Sequence, residues 1–145
     1  MKKYLFVLIT LFVAGYLASK VQSSWGKVRV QSIKIPTQNG QWLVADLFKP
    51  VSANASNPSP LVIVVPGFQR SKETLSNISI ELSRRGIVTI AIDPYAQGLS
   101  SSSLSKRAAT KEGYGMFALV DYVYDTSILN YVDKDKIGVT GHSAG

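Results

Sequence analysis

Leu61-Val62-Ile63-Val64-Val65-Pro66-Gly67-Phe68, then Ser71 to Gly86, then Ile87-Val88-Thr89-Ile90-Ala91-Ile92: this stretch decides the fold. The first run is continuously apolar and mostly β-branched, without alternation, which suits a central strand covered on both faces. Pro66-Gly67-Phe68 breaks it abruptly. A helix follows. Ser71 stands where a cap is needed, and Glu73 falls in the first turn, where the helix dipole favours an acid. Leu75, Ile78 and Leu82 make one apolar stripe, Arg84 and Arg85 fill the last turn, and Gly86 takes the C′ position. Residues 87–92 form a second buried strand that stops at Asp93-Pro94. The whole is a β-α-β unit, whose crossover is expected to be right-handed.

Toward the N-terminus, residues 26–50 read as a β-hairpin. Val28, Val30, Ile33 and Ile35 roughly alternate, Asn39-Gly40 is a turn signal, and Gln41 to Phe48 resumes a strand that Lys49-Pro50 ends. Val51 to Pro60 is rich in Ser, Asn, Ala and Pro and reads as a loop. Residues 1–23 begin Met1-Lys2-Lys3 and continue through an apolar run, Tyr4 to Ala18. A positive head and a short apolar segment fit a signal peptide, and Val21-Gln22-Ser23 allows cleavage after Ser23. The same residues fit a retained membrane anchor, with Trp25 at the far interface, and no clear A-x-A site decides between them. Either reading exports the remainder. A core helix is the bland alternative, and the Lys-Lys start argues against it.

Toward the C-terminus, Asp93 to Ser103 is a polar loop that residues 106–111 either continue or replace with a helix start. Glu112 to Asn130 is expected to be a long, largely covered helix, with Gly113 and Gly115 blurring its beginning. Asp133-Lys134-Asp135-Lys136 reads as a turn and Ile137 to Thr140 as a third parallel strand. That strand leads into Gly141-His142-Ser143-Ala144-Gly145, a G-x-S-x-G sequence. In a nucleophile elbow the serine occupies a strained strand-to-helix turn that lifts its hydroxyl clear, and the flanking glycines keep the turn free of Cβ atoms. The expected architecture is therefore α/β: a hairpin, then parallel β-α-β-α-β, with Ser143, Phe68 and Asp93 at carboxyl ends of strands, where such sheets place their sites.

Composition narrows the function classes. The 145 residues carry a net charge of +7, but from Ser24 onward there are 13 Lys and Arg against 9 Asp and Glu, with no basic run. Nucleic acid is not an expected partner. Cysteine is absent, which excludes disulfides and thiolate metal sites, and nothing points to a metal or cofactor. The one histidine is His142. Asp121 and Asp125, one turn apart, read as polar helix positions with no partner group in view.

With these elements in place, residues 28–145 resemble the α/β-hydrolase fold family, and more narrowly its dienelactone-hydrolase-like and serine-esterase branch. The resemblance is carried by Val64-Val65-Pro66-Gly67-Phe68, by Asp93-Pro94-Tyr95-Ala96-Gln97-Gly98-Leu99-Ser100, and most specifically by Val132 to Gly145. It implies an N-terminal half of such a sheet, with Ser143 as nucleophile on an ester or related acyl substrate. The backbone N–H groups of Ala144 and Phe68 would form the oxyanion hole. Many relatives have His-Gly where this chain has Pro66-Gly67, and the Pro-Gly-aromatic turn also resembles that of cutinase-like polyester hydrolases, so small or polymeric esters are both candidates. In this family the triad acid and histidine follow the nucleophile. Neither can follow Ser143 here, and His142, its neighbour on the elbow, cannot turn back onto the hydroxyl. The expectation is half of a hydrolase, inactive by itself. Asp93 is read as structural, satisfying amides of its loop. Phe68 reads as an oxyanion residue or simply as core. The competing classes are a non-catalytic remnant or binding module completed by a second polypeptide, and a small-ligand-binding α/β protein. Membrane contact through residues 4–18 is expected if they are retained.

Overall fold

The computed structural model describes residues 2–37, 40–102 and 111–145. Helix α1 (Lys2–Gln22) precedes a five-stranded sheet of β1 (Val28–Pro36), β2 (Trp42–Pro50), β3 (Ser59–Val65), β4 (Val88–Ile92) and β5 (Val132–Gly141). A 3-10 turn, Lys72–Leu75, runs into α2 (Ser76–Arg84), and another, Gly113–Gly115, runs into α3 (Met116–Asp125). The strand order is β1-β2-β4-β3-β5. β1 and β2 form the predicted antiparallel hairpin, β2 pairs antiparallel with β4, and β3 lies parallel to both β4 and β5. Gln38 and Asn39 of the hairpin turn lie outside the described residues, as do residues 103–110 of the loop beyond β4. Gly40 has φ +73°, as its turn position requires.

Every residue of β4 is buried. One face of the sheet packs Leu61, Ile63, Ile90 and Ile92 against Leu119 and Val123 of α3, with Leu129 and Tyr131 closing the margin. The other face packs Val28, Phe48, Val64 and Ala91 beneath Leu75, Ile80 and Leu82. This two-sided cover is what the unbroken apolar runs require.

Four local differences from the sequence reading have physical causes. First, the stripe on α2 is rotated. Ile78 is 39% exposed while Ser79 and Ser83 are buried. The 3-10 turn through Leu75 changes the helical phase, and Ser83 Oγ donates to the Phe48 carbonyl at 3.1 Å. Second, Ser71 holds the extended cap conformation but makes no side-chain cap bond. Third, the helix expected over 112–130 covers only Met116–Asp125, because Gly113, Tyr114 and Gly115 all adopt positive φ and Thr126 is extended. Fourth, the 133–136 turn lies inside β5. Ser59 pairs with Val132 and Leu61 with Ile137, so Asp133 to Lys136 form a bulge, tied by Lys136 Nζ to Asp133 Oδ2 at 2.9 Å. The C′ glycine stands as read: Gly86 has φ +86°, its N–H donates to the Ser83 carbonyl at 3.1 Å, and that of Ile87 to the Leu82 carbonyl at 3.3 Å.

The span Lys3–Val21 of α1 is 19 residues long with a mean hydropathy of 1.8, enough by length and composition to cross a membrane, and 0% of it is buried. It is no core helix.

Candidate active site

β3 and β5 are adjacent and parallel, so the turns that leave their carboxyl ends meet. Val65 pairs with Gly141, and His142 N–H donates to the Val65 carbonyl at 3.3 Å. Immediately beyond, Ser143 takes φ +60°, a left-handed conformation that side chains other than glycine rarely adopt. Gly145 N–H closes the turn on the His142 carbonyl at 3.1 Å. The flanking glycines are required sterically: a Cβ on Gly145 would run into the Val65 carbonyl, and one on Gly141 into the backbone of Gly145. Gly67 fits equally closely. A Cβ there would lie 3.2 Å from both Ser143 Cβ and the His142 carbonyl oxygen.

Phe68 and Ala144 are brought together. Both line one small crevice with Val65, Pro66, Pro94, Gln97 and Tyr114. The Phe68 side chain is 65% exposed, which corrects the reading of it as core. Among the described residues, neither the Phe68 nor the Ala144 N–H is taken by a protein acceptor. His142 is exposed on the turn beside Ser143.

Asp93 holds the walls of this crevice. It is 1% exposed; Oδ2 accepts the Leu99 N–H at 3.0 Å and Oδ1 that of Lys72 at 2.7 Å. It therefore supports its own loop, as read, and also caps the 3-10 turn after β3 in place of Ser71. Gly98 has no side chain because the Asp93 carboxylate fills that space. Gln97 Oε1 accepts the Arg70 N–H at 2.9 Å and so ties the Phe68 turn to the β4 loop. Ser100 and Ser101 complete that loop: their hydroxyl oxygens accept the N–H groups of Val44 and Trp42 at 2.8 and 2.9 Å.

Below Asp93 lies a charge cluster that the sequence did not announce. Lys72 is 6% exposed, and its Nζ lies 3.8 Å from both Asp46 Oδ2 and Asp93 Oδ2 and bonds to Glu73 Oε1. Burial disfavours the Lys72 charge, but Glu73, Asp93 and Asp46 together outweigh it and raise its pKa. Burial raises the pKa of Asp46, with Lys72 opposing. The Lys72 bond, helped by Ser71, lowers Glu73 to about 2. The one available signal was Asp46 itself, a charge within Leu43-Val44-Ala45-Asp46-Leu47-Phe48. A carboxylate there needs a buried partner.

Asp121 and Asp125 line an open groove with Pro36, Thr37 and Tyr122, away from the elbow. Among the described residues, no group of three or more His, Asp or Glu side chains is placed to hold a metal.

The fold has known counterparts. The chain is similar to the esterase Est1E of Butyrivibrio proteoclasticus, solved with ferulic acid bound, at 26% identity and TM-score 0.64 over 78% of this chain and 43% of that one. It is similar to the Pyrococcus furiosus esterase Pf2001 at 21% identity and TM-score 0.62, over 81% of this chain and 44% of the other. The α/β hydrolase GrgF from a Penicillium species matches at 22% identity and TM-score 0.62, over 78% and 37% of the two chains. No family model matches the sequence, and no curated protein does. The sheet and its crossovers are those of an α/β-hydrolase fold, of which this chain is a part. It spans less than half the length of these solved structures.

Proposed function

We propose that the chain is the nucleophile-bearing part of an exported serine hydrolase, of the dienelactone-hydrolase-like or serine-esterase kind, acting on carboxylic esters or related acyl compounds. The observation that carries this reading is the positive φ of Ser143 on a turn that no residue larger than glycine could flank. A strained non-glycine residue at a strand end is retained where its side chain has work to do. The neighbouring fold supports an acyl substrate, since the solved relatives include esterases.

In this reading Ser143 Oγ attacks the acyl carbonyl carbon while a base takes the hydroxyl proton. The carbonyl oxygen becomes an oxyanion between the Phe68 and Ala144 N–H groups. Collapse expels the alcohol, which takes the proton, and leaves an acyl-enzyme that water then hydrolyses. In this reading His142 is not the base, because the family's histidine follows the nucleophile in chain order and does not precede it. The acid and histidine would come after the elbow, in the family's chain order, so these 145 residues alone would be inactive. Helix α1 would serve export, as a signal peptide or as an anchor.

The test is labelling of the protein from its complete reading frame with a fluorophosphonate probe. Labelling of the parent and none of a Ser143→Ala variant is expected. A folded protein that stays unlabelled would overturn the enzyme reading in favour of a binding module.

A further inference from the structure

The point where α1 joins the domain is fixed by topology. Val28 at the start of β1 pairs with Pro50, and Phe48 pairs with Thr89 near the start of β4. The joint therefore lies at the end of the sheet from which β3, β4 and β5 all depart, and the elbow lies where they finish. Leu61 to Val65 alone separates the two ends by roughly 13 Å, at about 3.3 Å per residue.

The joint is not a loose linker. Trp25 N–H donates to the Lys20 carbonyl at 2.6 Å, Val28 N–H to that of Ser23 at 3.1 Å, and Val51 N–H to that of Lys27 at 2.9 Å. Arg84 Nη2 donates to the Val21 carbonyl at 2.9 Å, binding α2 to the end of α1. Trp25, 66% exposed, sits in the turn itself.

Around this joint stand Lys20, Lys27, Arg29, Lys49, Arg84 and Arg85. Glu81 pairs with the two α2 arginines and so offsets one charge of the six. Arg29 and Lys49 face each other directly across the β1–β2 ladder. Like charges at such a position are unfavourable by themselves; Lys49 Nζ rests over the Tyr131 ring, 3.9 Å from its centroid, and Arg29 is left exposed to an external anion. Cations beside a membrane-spanning helix are attracted by anionic headgroups, here those of the leaflet that faces the exported domain.

We propose that α1 is retained as an anchor and that these residues form a basic collar seated on an anionic bilayer surface. The collar holds the elbow end of the sheet away from the membrane. Resting on the serine-hydrolase reading, this assigns the substrate class: water-soluble acyl esters, not the lipids of the anchoring bilayer.

These 145 residues carry no cysteine, so single labels can be placed in them once any cysteine in the remainder of the full chain has been replaced with serine. Single Ser52→Cys and Leu99→Cys variants of the full chain, one near the joint and one beside the elbow, are labelled with a fluorophore. They are then reconstituted in phosphatidylcholine vesicles with and without phosphatidylglycerol. Nitroxide on the lipid headgroups is expected to quench the Ser52 label several-fold more than the Leu99 label. Phosphatidylglycerol should increase that difference, and salt or a Lys27→Glu, Arg85→Glu background should reduce it. Equal quenching at the two sites, or no response to phosphatidylglycerol, would overturn the collar. A mature N-terminus beginning between Ser19 and Gly26, found by mass spectrometry of protein from its native cells, would overturn the anchor. Either result leaves fluorophosphonate labelling of Ser143 intact, so failure here is distinct from failure of the hydrolase reading.

Discussion

Ser143 sets strain against use at a single position. Holding a non-glycine residue in the left-handed region costs about 1–2 kcal/mol. Replacing Ser143 with glycine removes that strain but admits a freer unfolded chain, worth about 0.4–1 kcal/mol in the opposite direction. Ser143→Gly should therefore be more stable than Ser143→Ala by about 0.5 kcal/mol, read as a shift in urea midpoint. The Gly-x-Ser-x-Gly spacing made this residue legible from the sequence alone, because a turn that excludes Cβ atoms on both sides leaves a glycine signature. Gln97 was not legible. Its role depends on an amide from another turn, Arg70, reached across 27 residues of chain.

At the scale of elements, the β3–β4 crossover is held by charge as much as by apolar contact. Lys72→Met should destabilise the protein by about 3 kcal/mol, since the buried Asp93 and the half-buried Asp46 would be left without their cation. Adding Asp46→Asn should recover part of that loss, and denaturant unfolding of the single and double variants measures both. The acid limb of stability carries the same cluster. Glu73 ionises at about 2 when folded, below its ordinary 4.5. Its contribution is fully present above pH 4.5 and disappears as pH falls toward 2. The difference in urea midpoint between parent and Glu73→Gln should accordingly shrink across that window. Asp46, raised by burial, runs the other way: its protonated form favours the fold at acid pH, and that gain is lost as pH rises through its folded pKa. The element pattern itself was readable where apolar runs and glycine caps agreed, as from Leu61 to Ile92. It misled where tertiary contacts overrode local signals: the shortened α3, the rotated face of α2, and the β5 strand that swallowed an apparent turn.

Among the described residues the sheet ends at β5, whose Val139 is 51% exposed, and Ile128 and Phe117 are 72% and 52% exposed. An unpaired parallel edge beside exposed apolar groups favours association. Residues 24–145 expressed alone should associate with rising concentration by light scattering, and Val139→Lys should reduce it. A concentration-independent monomer with a cooperative melt would count against this expectation. The sequence announced the parallel strands through its β-α-β rhythm. It could not foretell which end of the sheet receives α1, since that depends on the register of Val28 with Pro50.

The bulge in β5 has a consequence for how this chain can vary. Between the pairs Ser59–Val132 and Leu61–Ile137, the strand carries surplus length over its partner, and pairing then resumes through Val65 and Gly141. That surplus is put to use: Lys134 Nζ donates to the Tyr124 and Thr126 carbonyls at 2.6 and 3.2 Å, and its own carbonyl accepts the Tyr124 hydroxyl at 3.0 Å. The bulge therefore works as a clasp on the end of α3, and an insertion between Ile137 and Gly141, past the clasp, would pull Ser143 off its place beside Gly67.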